Sequence, residues 1–329
     1  MSTKSHHSVR IGVIGAGGWG RVLVRTLNQM RVLAGVADLD EVARAGVKSM
    51  TSVPTYRNAD RLLATDVDAI VVATPAVSHH AVAKAALAAG KDVFVEKPLA
   101  MTAEDGEDLV RYARACGRVF MVGHLLLFQP AITWMHEFIA DGSIGRVYSL
   151  NQDRLNLGTA RAVENALWSL GVHDVAVLLH LAGGTPLRTT AWGHCVLQRD
   201  VEDDVHIHLE FPGDLHAYQH STWLWPEKRR RLTVVASEAM LVYDEVGQRV
   251  FLHRKGIDGT LAAWNRGSEL VFRGEGEPLR LELEHFVGCV AEHSRPLSDG
   301  ESAVEVLRVL EHASAQLRTG SIMRGARGA

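Results

Sequence analysis

The sequence has little of what marks secreted, membrane or zinc-binding proteins. Its 3 cysteines, Cys116, Cys195 and Cys289, lie far apart in the 329 residues and form no CxxC pair. This spacing argues against a disulfide framework or a zinc site and predicts reduced thiols in a cytoplasmic protein. The opening segment MSTKSHHSVR lacks the apolar core of a signal peptide, and no run of about 18 apolar residues predicts a membrane span.

No charge of one sign dominates the chain. The 35 Lys and Arg nearly balance the 38 Asp and Glu, and the formal net charge of −3 gives no electrostatic basis for binding nucleic acid or an anionic membrane. Histidine is abundant, at 17 residues, but no HExxH pair occurs. Clusters such as His79-His80 are therefore interpreted as surface or core residues, and no metal site is predicted.

The first part of the chain, from Val9 to about Val122, alternates short apolar runs with helical stretches. The apolar runs contain no regular polar positions, which is typical of strands in a parallel sheet covered on both faces. Strand–helix alternation of this kind predicts an α/β fold, a Rossmann doubly wound parallel sheet. The predicted strands are Val9–Ile14, Val32–Ala37, Asp68–Ala73, Asp92–Val95 and Val119–Val122, and the predicted helices lie near Trp19–Met30, Val77–Ala89 and Ala103–Ala115.

The pattern changes after Gln129-Pro130. The segments DVHIHLEF and HAYQHSTWLW alternate polar with apolar residues, which indicates an antiparallel sheet with one covered face. We therefore expect two domains, a Rossmann domain over residues 1–128 and an α+β domain over residues 129–329 with a large, mainly antiparallel sheet. The last helix is expected to be able to pack back on the first domain. The other elements predicted here are a helix over Ala131–Ala140, a strand over Gly145–Leu155, a helix in HDVAVLLHLAGG, and helices over Leu281–Glu292 and Ser302–Leu317.

A glycine-rich turn follows the first predicted strand. In VRIGVIGAGGWGRVLVRTL, the first glycine of Gly15-x-Gly17-x-x-Gly20 permits a tight turn, the second allows close approach of a pyrophosphate, and the third packs helix on strand. The helix N-terminus adds free N–H groups and the positive end of its dipole. Gly18 and Trp19, in the same turn, complete the predicted cofactor contacts there. A purely structural turn is the alternative.

An acidic residue indicates which dinucleotide binds. Asp38 follows the second strand, 23 residues after Gly15, where it can accept hydrogen bonds from the adenosine ribose and repel a 2′-phosphate. Leu39 and Asp40 come next rather than an arginine. We predict NAD as the cofactor, ahead of NADP.

Two further strand ends carry polar residues, and ligands of open α/β sheets bind outside the carboxyl ends of strands. The segment VVATPAVSHH places Thr74 and Pro75 at one of these ends, with His79 close behind. The segment VFVEKPLA places Glu96 and Lys97 at the other. All five are predicted cofactor contacts.

Lys97 and His173 are the candidate catalytic residues. Near the nicotinamide, the Lys97 ammonium can hydrogen-bond a substrate hydroxyl and stabilise the alkoxide that develops as hydride leaves, with a pKa lowered by desolvation. His173, in ENALWSLGVHDVAVLLHLAGG, can exchange a proton near neutral pH, with Asp174 beside it. A surface Glu-Lys pair and a structural histidine at a helix start are the alternatives.

These motifs together resemble the Gfo/Idh/MocA oxidoreductases, the glucose–fructose oxidoreductase and inositol dehydrogenase family. The resemblance extends over essentially the whole chain, including the terminal PLSDGESAVEVLRVLEHA. It implies NAD(P)-dependent oxidation or reduction of a sugar or cyclitol carbinol, with Lys97 and His173 catalytic and Glu96 on the nicotinamide ribose. It also implies a cis peptide bond between Lys97 and Pro98, and a homo-dimer or homo-tetramer formed through the open face of the second sheet.

Details of the second half are similar to one branch of that family, the UDP-N-acetylglucosaminuronate 3-dehydrogenases, which oxidise a sugar C3 hydroxyl to a ketone. The similar segments are VGHLLLFQPAI, DRLNLG, ENALWS and STWLWPEKRRRLTVVAS. Many family members have an aspartate four residues before the catalytic histidine, where this chain has Ser169. The branch commonly has Ala-Pro directly before that histidine, where this chain has Gly171-Val172.

A UDP-linked uronate carries phosphate and carboxylate charges, so its pocket needs hydrogen-bond donors. Arg154 and Asn156, both in DRLNLG, are predicted to supply a guanidinium fork and an amide. Asn165, in ENALWS, and His124, after the last Rossmann strand, are further predicted substrate contacts, together with Lys97 and His173. His124 as a satisfied buried histidine remains an equal alternative, and the basic run from Lys228 is interpreted as a solvated strand face.

Three functional hypotheses follow. The leading one is a cytoplasmic NAD-dependent dehydrogenase that acts on C3 of a nucleotide-linked (amino)sugar or uronate such as UDP-N-acetylglucosaminuronate. The second keeps the fold and the cofactor but acts on another amino sugar, a sugar phosphate or a cyclitol in a specialised biosynthetic pathway. The third is a non-catalytic dinucleotide-binding sensor, which predicts the loss of the lysine or histidine that this chain retains.

Overall fold

The structure is a computed structural model that describes residues 9–325. The chain divides into two compact units. The first holds the chain up to His124 together with Leu279–Leu307, and the second holds Leu125–Pro278 together with the chain from Arg308 onward. The domain boundary expected at residue 128 stays a prediction; the first change of unit in the structure lies between His124 and Leu125.

The first unit is built on a parallel sheet. Its strands are β1 (Ile11–Ile14), β2 (Leu33–Ala37), β3 (Thr55–Tyr56), β4 (Ala69–Val72), β5 (Asp92–Glu96) and β6 (Phe120–Gly123). Their order is β3-β2-β1-β4-β5-β6 and all neighbours are parallel, which confirms the predicted Rossmann sheet. The helices of this part are α1 (Gly18–Gln29), α2 (Glu41–Met50), α3 (Ala59–Leu63), α4 (His79–Ala88) and α5 (Ala103–Ala115).

Local sequence explains these elements. All four residues of β1 and all four of β4 are buried, as expected for apolar strands covered on both faces. Helices start at polar caps: the Asp40 carboxylate accepts from the Val42 N–H at 3.0 Å, and the Thr102 hydroxyl accepts from the Asp105 N–H at 3.1 Å. Helix α5 spans the predicted residues.

The stretch between β2 and β4 contains elements that were not predicted, namely α2, β3 and α3. Strand β3 has 2 residues and α3 has 5, so neither is long enough to show a hydrophobic period. Helix α2 buries only Ala43 and Val47, and the rest of its surface is exposed or half-buried.

The second unit is built on a larger sheet. Its strands are β7 (Val147–Leu157), β8 (Arg188–His194), β9 (Asp204–Phe211), β10 (Leu215–Thr222), β11 (Leu224–Ala236), β12 (Met240–Asp244), β13 (Arg249–Ile257) and β14 (Ala263–Arg273). Their order is β14-β13-β12-β11-β7-β10-β9-β8, and the pairing is antiparallel except between β7 and β10, which confirms a mainly antiparallel sheet. The remaining helices are α6 (Pro130–Ala140), α7 (Val172–Ala182), α8 (Pro278–Glu292) and α9 (Gly300–Gly325).

One predicted strand is wrong in detail, because HAYQHSTWLW is divided between two strands. Strand β10 ends at Thr222, β11 begins at Leu224, and Trp223 lies between them with 1% of its surface exposed. Its indole N–H donates to the Asp203 carboxylate at 2.6 Å, while the Thr222 hydroxyl accepts from the Leu224 N–H at 3.0 Å. A buried polar partner for the indole therefore interrupts an otherwise continuous alternation.

The predictions on cysteines and membrane spans can be compared with the structure. Cys116, Cys195 and Cys289 are free thiols, as predicted. Among the helices in residues 9–325, none has the length and apolar content needed to cross a bilayer. The cytoplasmic location and the oligomeric state stay predictions.

Candidate active site

The glycine turn between β1 and α1 is tight on the side of the sheet and open on the other side. Gly15 has a φ of +98°, and a Cβ added there would lie 2.5 Å from the carbonyl oxygen of Ala73 at the end of β4. A Cβ on Gly20 would fall on the carbonyl of Gly15. In contrast, no heavy atom lies within 4 Å of a Cβ added to Gly17 or Gly18. The uncrowded positions are therefore Gly17, which was predicted to face a pyrophosphate, and Gly18, which was predicted as a further cofactor contact.

The N-terminus of α1 presents its amides without a competing side chain. Gly17 is the N-cap residue, no side chain of the described residues caps the helix, and its first turn contains no acid. The first N–H groups of a helix lack partners inside it and favour an anion. Trp19, in this turn, is 45% exposed and donates its indole N–H to the Glu96 carboxylate at 2.5 Å.

Asp38 is held beside this turn at the end of β2. Its carboxylate accepts hydrogen bonds from the Ala16 N–H at 2.6 Å and from the Asp40 N–H at 2.8 Å. The Arg44 guanidinium donates to the backbone carbonyls of Asp38 and Leu39 at 2.8 and 2.9 Å. The amides, the open glycine positions and this fixed carboxylate fit a dinucleotide, with Asp38 placed to accept from ribose hydroxyls.

Glu96 ends strand β5 with a carboxyl group that is almost fully buried. It is 9% exposed and also accepts from the Lys97 N–H at 3.2 Å. Burial raises its pKa to about 7, in opposition to the hydrogen bond from Trp19 and the charge of Lys97. Lys97 is half-buried, and the Lys97-Pro98 peptide bond is cis, as the family resemblance implies.

A second buried acid, Glu282 of α8, was missed by the sequence analysis. It is 1% exposed, and burial followed by the neighbouring Glu96 carboxylate raises its pKa well above the usual range. Its Oε1 atom has no hydrogen-bond partner among the described residues. The signal was available, because Glu282 occupies a position of the apolar stripe formed by Leu279, Leu283 and Phe286.

His79 joins the ends of β4 and β5. It is 1% exposed, its Nδ1 lies 2.7 Å from the Pro98 carbonyl oxygen, and its Nε2 lies 2.8 Å from the Thr74 carbonyl oxygen. Carbonyls only accept, so a neutral ring can donate to one of them and only an imidazolium to both. Burial lowers the pKa of His79, and the hydrogen bonds to the two carbonyls oppose this only in part. Because both ring nitrogens contact backbone carbonyls, His79 positions the predicted cofactor contacts Thr74 and Pro75.

His124 lies directly after β6 and is 3% exposed. Burial, followed by the charge of Lys97, lowers its pKa to about 4, so the ring is neutral at physiological pH. Neither ring nitrogen has a hydrogen-bond partner among residues 9–325. His124 is therefore buried but not satisfied by the protein, which favours the substrate-contact alternative over the structural one.

In the second unit, His173 lies at the start of α7, directly after a π-helical turn over Leu167–Gly171. The Gly171 carbonyl accepts from the Gln219 side-chain amide at 3.0 Å. A Cβ on Gly171 would lie 2.9 Å from both the Leu167 Cδ1 and the Ser221 Oγ atoms. Close packing against β10 thus explains why glycine replaces the alanine common in the similar branch. Such π-turns recur at functional sites.

Arg154 does not present a free guanidinium. Its side chain is 4% exposed and contacts Asp174 through two bonds of 2.5 and 2.7 Å, and Glu245 through one of 2.8 Å. Arg230 donates to the same Glu245 at 3.1 Å. The role of Arg154 as a substrate ligand stays a prediction, but its contacts are those of a buried ion-pair network that anchors the helix of His173.

Of the two predicted asparagines, Asn165 has hydrogen-bond partners within the protein. The Asn165 amide donates to the Glu202 carboxylate at 2.8 Å and accepts from the Trp168 N–H at 3.1 Å, so it caps the π-helical turn. Asn156 is half-buried, and its side chain occupies the space where a Cβ of Gly158 would lie. Their roles as substrate contacts stay predictions.

We expect Arg154→Ala to lower the free energy of unfolding by about 3–5 kcal/mol, because it leaves two buried carboxylates without their cation. Arg229→Ala is the matched control: that arginine, 49% exposed, pairs with Asp153 at 2.9 Å and should contribute less than about 1 kcal/mol. Urea unfolding measures both. A stable Arg154→Ala variant with only a raised KM would instead identify Arg154 as a substrate ligand.

The buried Glu96 predicts a pH dependence. A carboxyl whose folded pKa is raised from 4.5 to about 7 stabilises the fold below pH 4.5, and that contribution is lost as pH rises toward 7. Relative to Glu96→Gln, the wild-type unfolding free energy should therefore fall by about 3 kcal/mol over this interval. Urea titrations at several pH values test this, with exposed Glu104→Gln as the control. A difference that is constant with pH would contradict it.

Gly171→Ala should destabilise the protein by about 1–3 kcal/mol, because the added methyl group collides with Gln219 and Ser221. In a Gln219→Ala background the same change should cost measurably less, since the obstructing amide is gone. The double-mutant cycle is measured by thermal and urea unfolding. Additive effects would show that Gly171 and Gln219 do not share the space.

Two family models match the chain, in the order of its two sheets. The model described as "Oxidoreductase family, NAD-binding Rossmann fold" of Gfo/Idh/MocA matches residues 9–124. The model of the Gfo/Idh/MocA C-terminal domain matches residues 132–242.

Curated proteins and solved structures agree with these models. UDP-N-acetylglucosamine 3-dehydrogenase of Acidithiobacillus ferrooxidans is 26% identical over 300 residues, which are 91% of this chain and 94% of that protein. The structure of a UDP-N-acetylglucosamine 3-dehydrogenase, GnnA, from the same species has a TM-score of 0.86 at 25% identity and covers 95% of this chain and 98% of its own. The structure of GenD2 from gentamicin A biosynthesis, in complex with NAD, has a TM-score of 0.80 at 26% identity. The match covers 97% of this chain and 98% of the GenD2 chain. Because the two family models match residues of both sheets and of the glycine turn, the chain belongs to the Gfo/Idh/MocA family of NAD-binding oxidoreductases.

Proposed function

We propose that this oxidoreductase transfers a hydride between NAD and the C3 hydroxyl of a nucleotide-linked amino sugar. The observation that carries the proposal is the connection between the glycine turn and the end of β5, where Trp19 of the turn binds Glu96 and Lys97 follows directly. A cationic side chain beside a dinucleotide-binding turn is suited to a hydroxyl that becomes an alkoxide.

Each residue has a defined part in this proposal. The α1 amides and the backbone at Gly17 and Gly18 bind the pyrophosphate, and Asp38 accepts from the adenosine ribose. The nicotinamide, when bound, supplies the hydride acceptor. The Lys97 ammonium orients the reacting hydroxyl and stabilises its developing charge, and neutral His124 offers a ring nitrogen to the sugar. By family resemblance, His173 takes the proton.

The nucleotide sugar is proposed from the similarity to a UDP-N-acetylglucosamine 3-dehydrogenase over nearly the whole of both chains. The uronate of the same sugar needs a cation for its carboxylate, and Arg154, the residue expected to supply one, is already paired with Asp174 and Glu245. UDP-N-acetylglucosamine is therefore the first substrate to test, and UDP-N-acetylglucosaminuronate the second.

A second candidate substrate is an amino sugar of a specialised biosynthetic pathway. It is supported by the similarity to GenD2 from gentamicin A biosynthesis, at 26% identity over 97% of this chain. The fold, the cofactor and the roles of Lys97 and His173 are the same in both candidates. They differ only in whether the sugar carries a nucleotide.

The test follows NADH formation by absorbance and checks the product by mass spectrometry for the loss of two hydrogens. UDP-N-acetylglucosamine, its uronate, a free amino sugar and myo-inositol are compared, each with NAD and with NADP. Turnover with the UDP sugar and NAD supports the proposal. Turnover with only the free amino sugar supports the second candidate. Turnover with NADP but not with NAD would show that NAD is not the cofactor.

Lys97→Ala should reduce kcat by about 10²–10⁴-fold, because the group that stabilises the alkoxide is removed. NAD affinity, measured by fluorescence or calorimetry, should stay near the wild-type value. Lys228→Ala, which removes an exposed lysine of β11, is the control and should leave both quantities unchanged. Unchanged turnover in Lys97→Ala would exclude Lys97 from the mechanism.

A further inference from the structure

One face of the sheet in the second unit concentrates histidines at its β8–β10 edge. Strand β9 alternates strictly, and its residues Val205, Ile207, Leu209 and Phe211 are buried in the core. Since successive side chains of a strand point to opposite faces, the other residues share the half-exposed face. These residues are Asp204, His206, His208 and Glu210.

The strand register brings residues of β10 beside them. In the antiparallel β9–β10 pair, His206 lies opposite His220, and His208 lies opposite Tyr218. Directly opposed residues have Cβ atoms about 5 Å apart, and diagonal neighbours remain within reach of long side chains. His220 is the diagonal neighbour of Asp204, whose own opposite residue is Thr222. Three metal-ligating side chains are thus gathered on two adjacent strands.

The ligand atoms of these three residues converge. The Asp204 Oδ1 atom lies 3.0 Å from the His220 Nε2 atom and 3.4 Å from the His206 Nε2 atom, and the three atoms all lie within 4.8 Å of one another. A tetrahedral zinc ion with bonds of 2.0–2.1 Å separates its ligand atoms by about 3.4 Å. The separation of 3.4 Å equals this value, the separation of 3.0 Å is slightly shorter, and the third is at most 4.8 Å.

Aromatic neighbours hold the two rings in place. His206 and His220 stack on each other with centroids 3.9 Å apart, Trp192 stacks on the outer side of His206 at 5.3 Å, and Trp225 contacts His220 edge-on at 5.8 Å. The side chains of Asp204, His206 and His220 are 23%, 33% and 17% exposed, so an ion can reach them from solvent. Ordered, half-buried ligands lose little conformational entropy on binding.

The ligand chemistry indicates the class of ion. Two imidazoles and one carboxylate suit zinc, cobalt, nickel or copper rather than calcium or magnesium, which prefer oxygen ligands alone. The carboxylate comes from Asp204, whose Oδ1 atom lies closest to both rings. A metal ion would replace the ring protons in these two contacts.

We propose that Asp204, His206 and His220 form a binding site for a divalent transition-metal ion of the zinc type. The fourth position of a tetrahedral site falls to water or to His194, which is exposed and lies opposite Asp204 in the β8–β9 register. None of the three is among the residues assigned to hydride transfer, and the proposal does not depend on the proposed function.

A second histidine pair on the same face provides the matched control. His208 and His216 lie 2.9 Å apart, but their carboxylate neighbours are 3.9 Å away at Glu210 and 3.3 Å away at Asp214, and no third ligand atom converges on them. His208→Ala removes a histidine from the same strand and the same face, two positions along from His206, and leaves the three proposed ligands intact.

The experiment titrates zinc into metal-stripped protein by calorimetry, with cobalt absorption as a report of tetrahedral geometry. All variants carry His6→Ala and His7→Ala, so that the paired histidines near the start of the sequence do not contribute. We expect one ion per chain, an affinity lowered at least about 10-fold by His206→Ala or His220→Ala, and no change in His208→Ala.

Two results would overturn the proposal. One is the absence of zinc binding by the stripped wild-type protein. The other is a loss of affinity as large in His208→Ala as in His206→Ala, which would indicate diffuse binding by the histidines of this face. Circular dichroism and NAD binding confirm that each variant is folded, so a loss of zinc binding reports on the site itself.

Discussion

The carboxyl edge of the first sheet depends on how closely the turn after β1 packs against the end of β4. A Cβ on Gly15 would lie 2.5 Å from the Ala73 carbonyl oxygen, so only glycine fits where the turn packs against the end of β4. Helix α1 therefore starts at a fixed place, and Trp19 in its first turn reaches Glu96 at the end of β5. His79 then connects the backbone after β4 with the backbone after β5. A steric constraint at one glycine thus sets the geometry around Lys97.

The two units bury their acids in different ways. In the first unit Glu96 and Glu282 lie near each other, and burial raises both pKa values. In the second unit Asp174 and Glu245 are buried on Arg154 through bonds of 2.5 to 2.8 Å. In the first arrangement burial favours the protonated acids. In the second, the Arg154 guanidinium opposes burial at both carboxylates, so the pKa of Glu245 is lowered although burial still raises that of Asp174. A rise of pH toward neutrality therefore weakens the first unit, whereas loss of the arginine would weaken the second.

Much of the fold could be predicted from the sequence, because the elements of the first sheet combine short apolar strands with amphipathic helices. Helix α5 was predicted near Ala103–Ala115, and it spans these residues in the structure. The short elements β3 and α3 could not be predicted, since their length leaves no period to detect. Trp223 was misassigned because its burial depends on Asp203, 20 residues earlier in the chain.

The site could be predicted only where one local segment carries the chemistry. The glycine turn, Asp38 and Glu96-Lys97 are such segments, because the strand ends of a parallel sheet meet at one edge. The contacts of Arg154 could not be predicted, since Glu245 lies directly after β12, 91 residues away in the sequence. The proximity of Asp204, His206 and His220 could not be predicted for the same reason. His220 comes from β10, the neighbour of β9, and a shift of the β9–β10 pairing by one residue would point its side chain into the core. Groups of side chains that depend on register become visible only once the strands are paired, so a search for contiguous motifs does not find them.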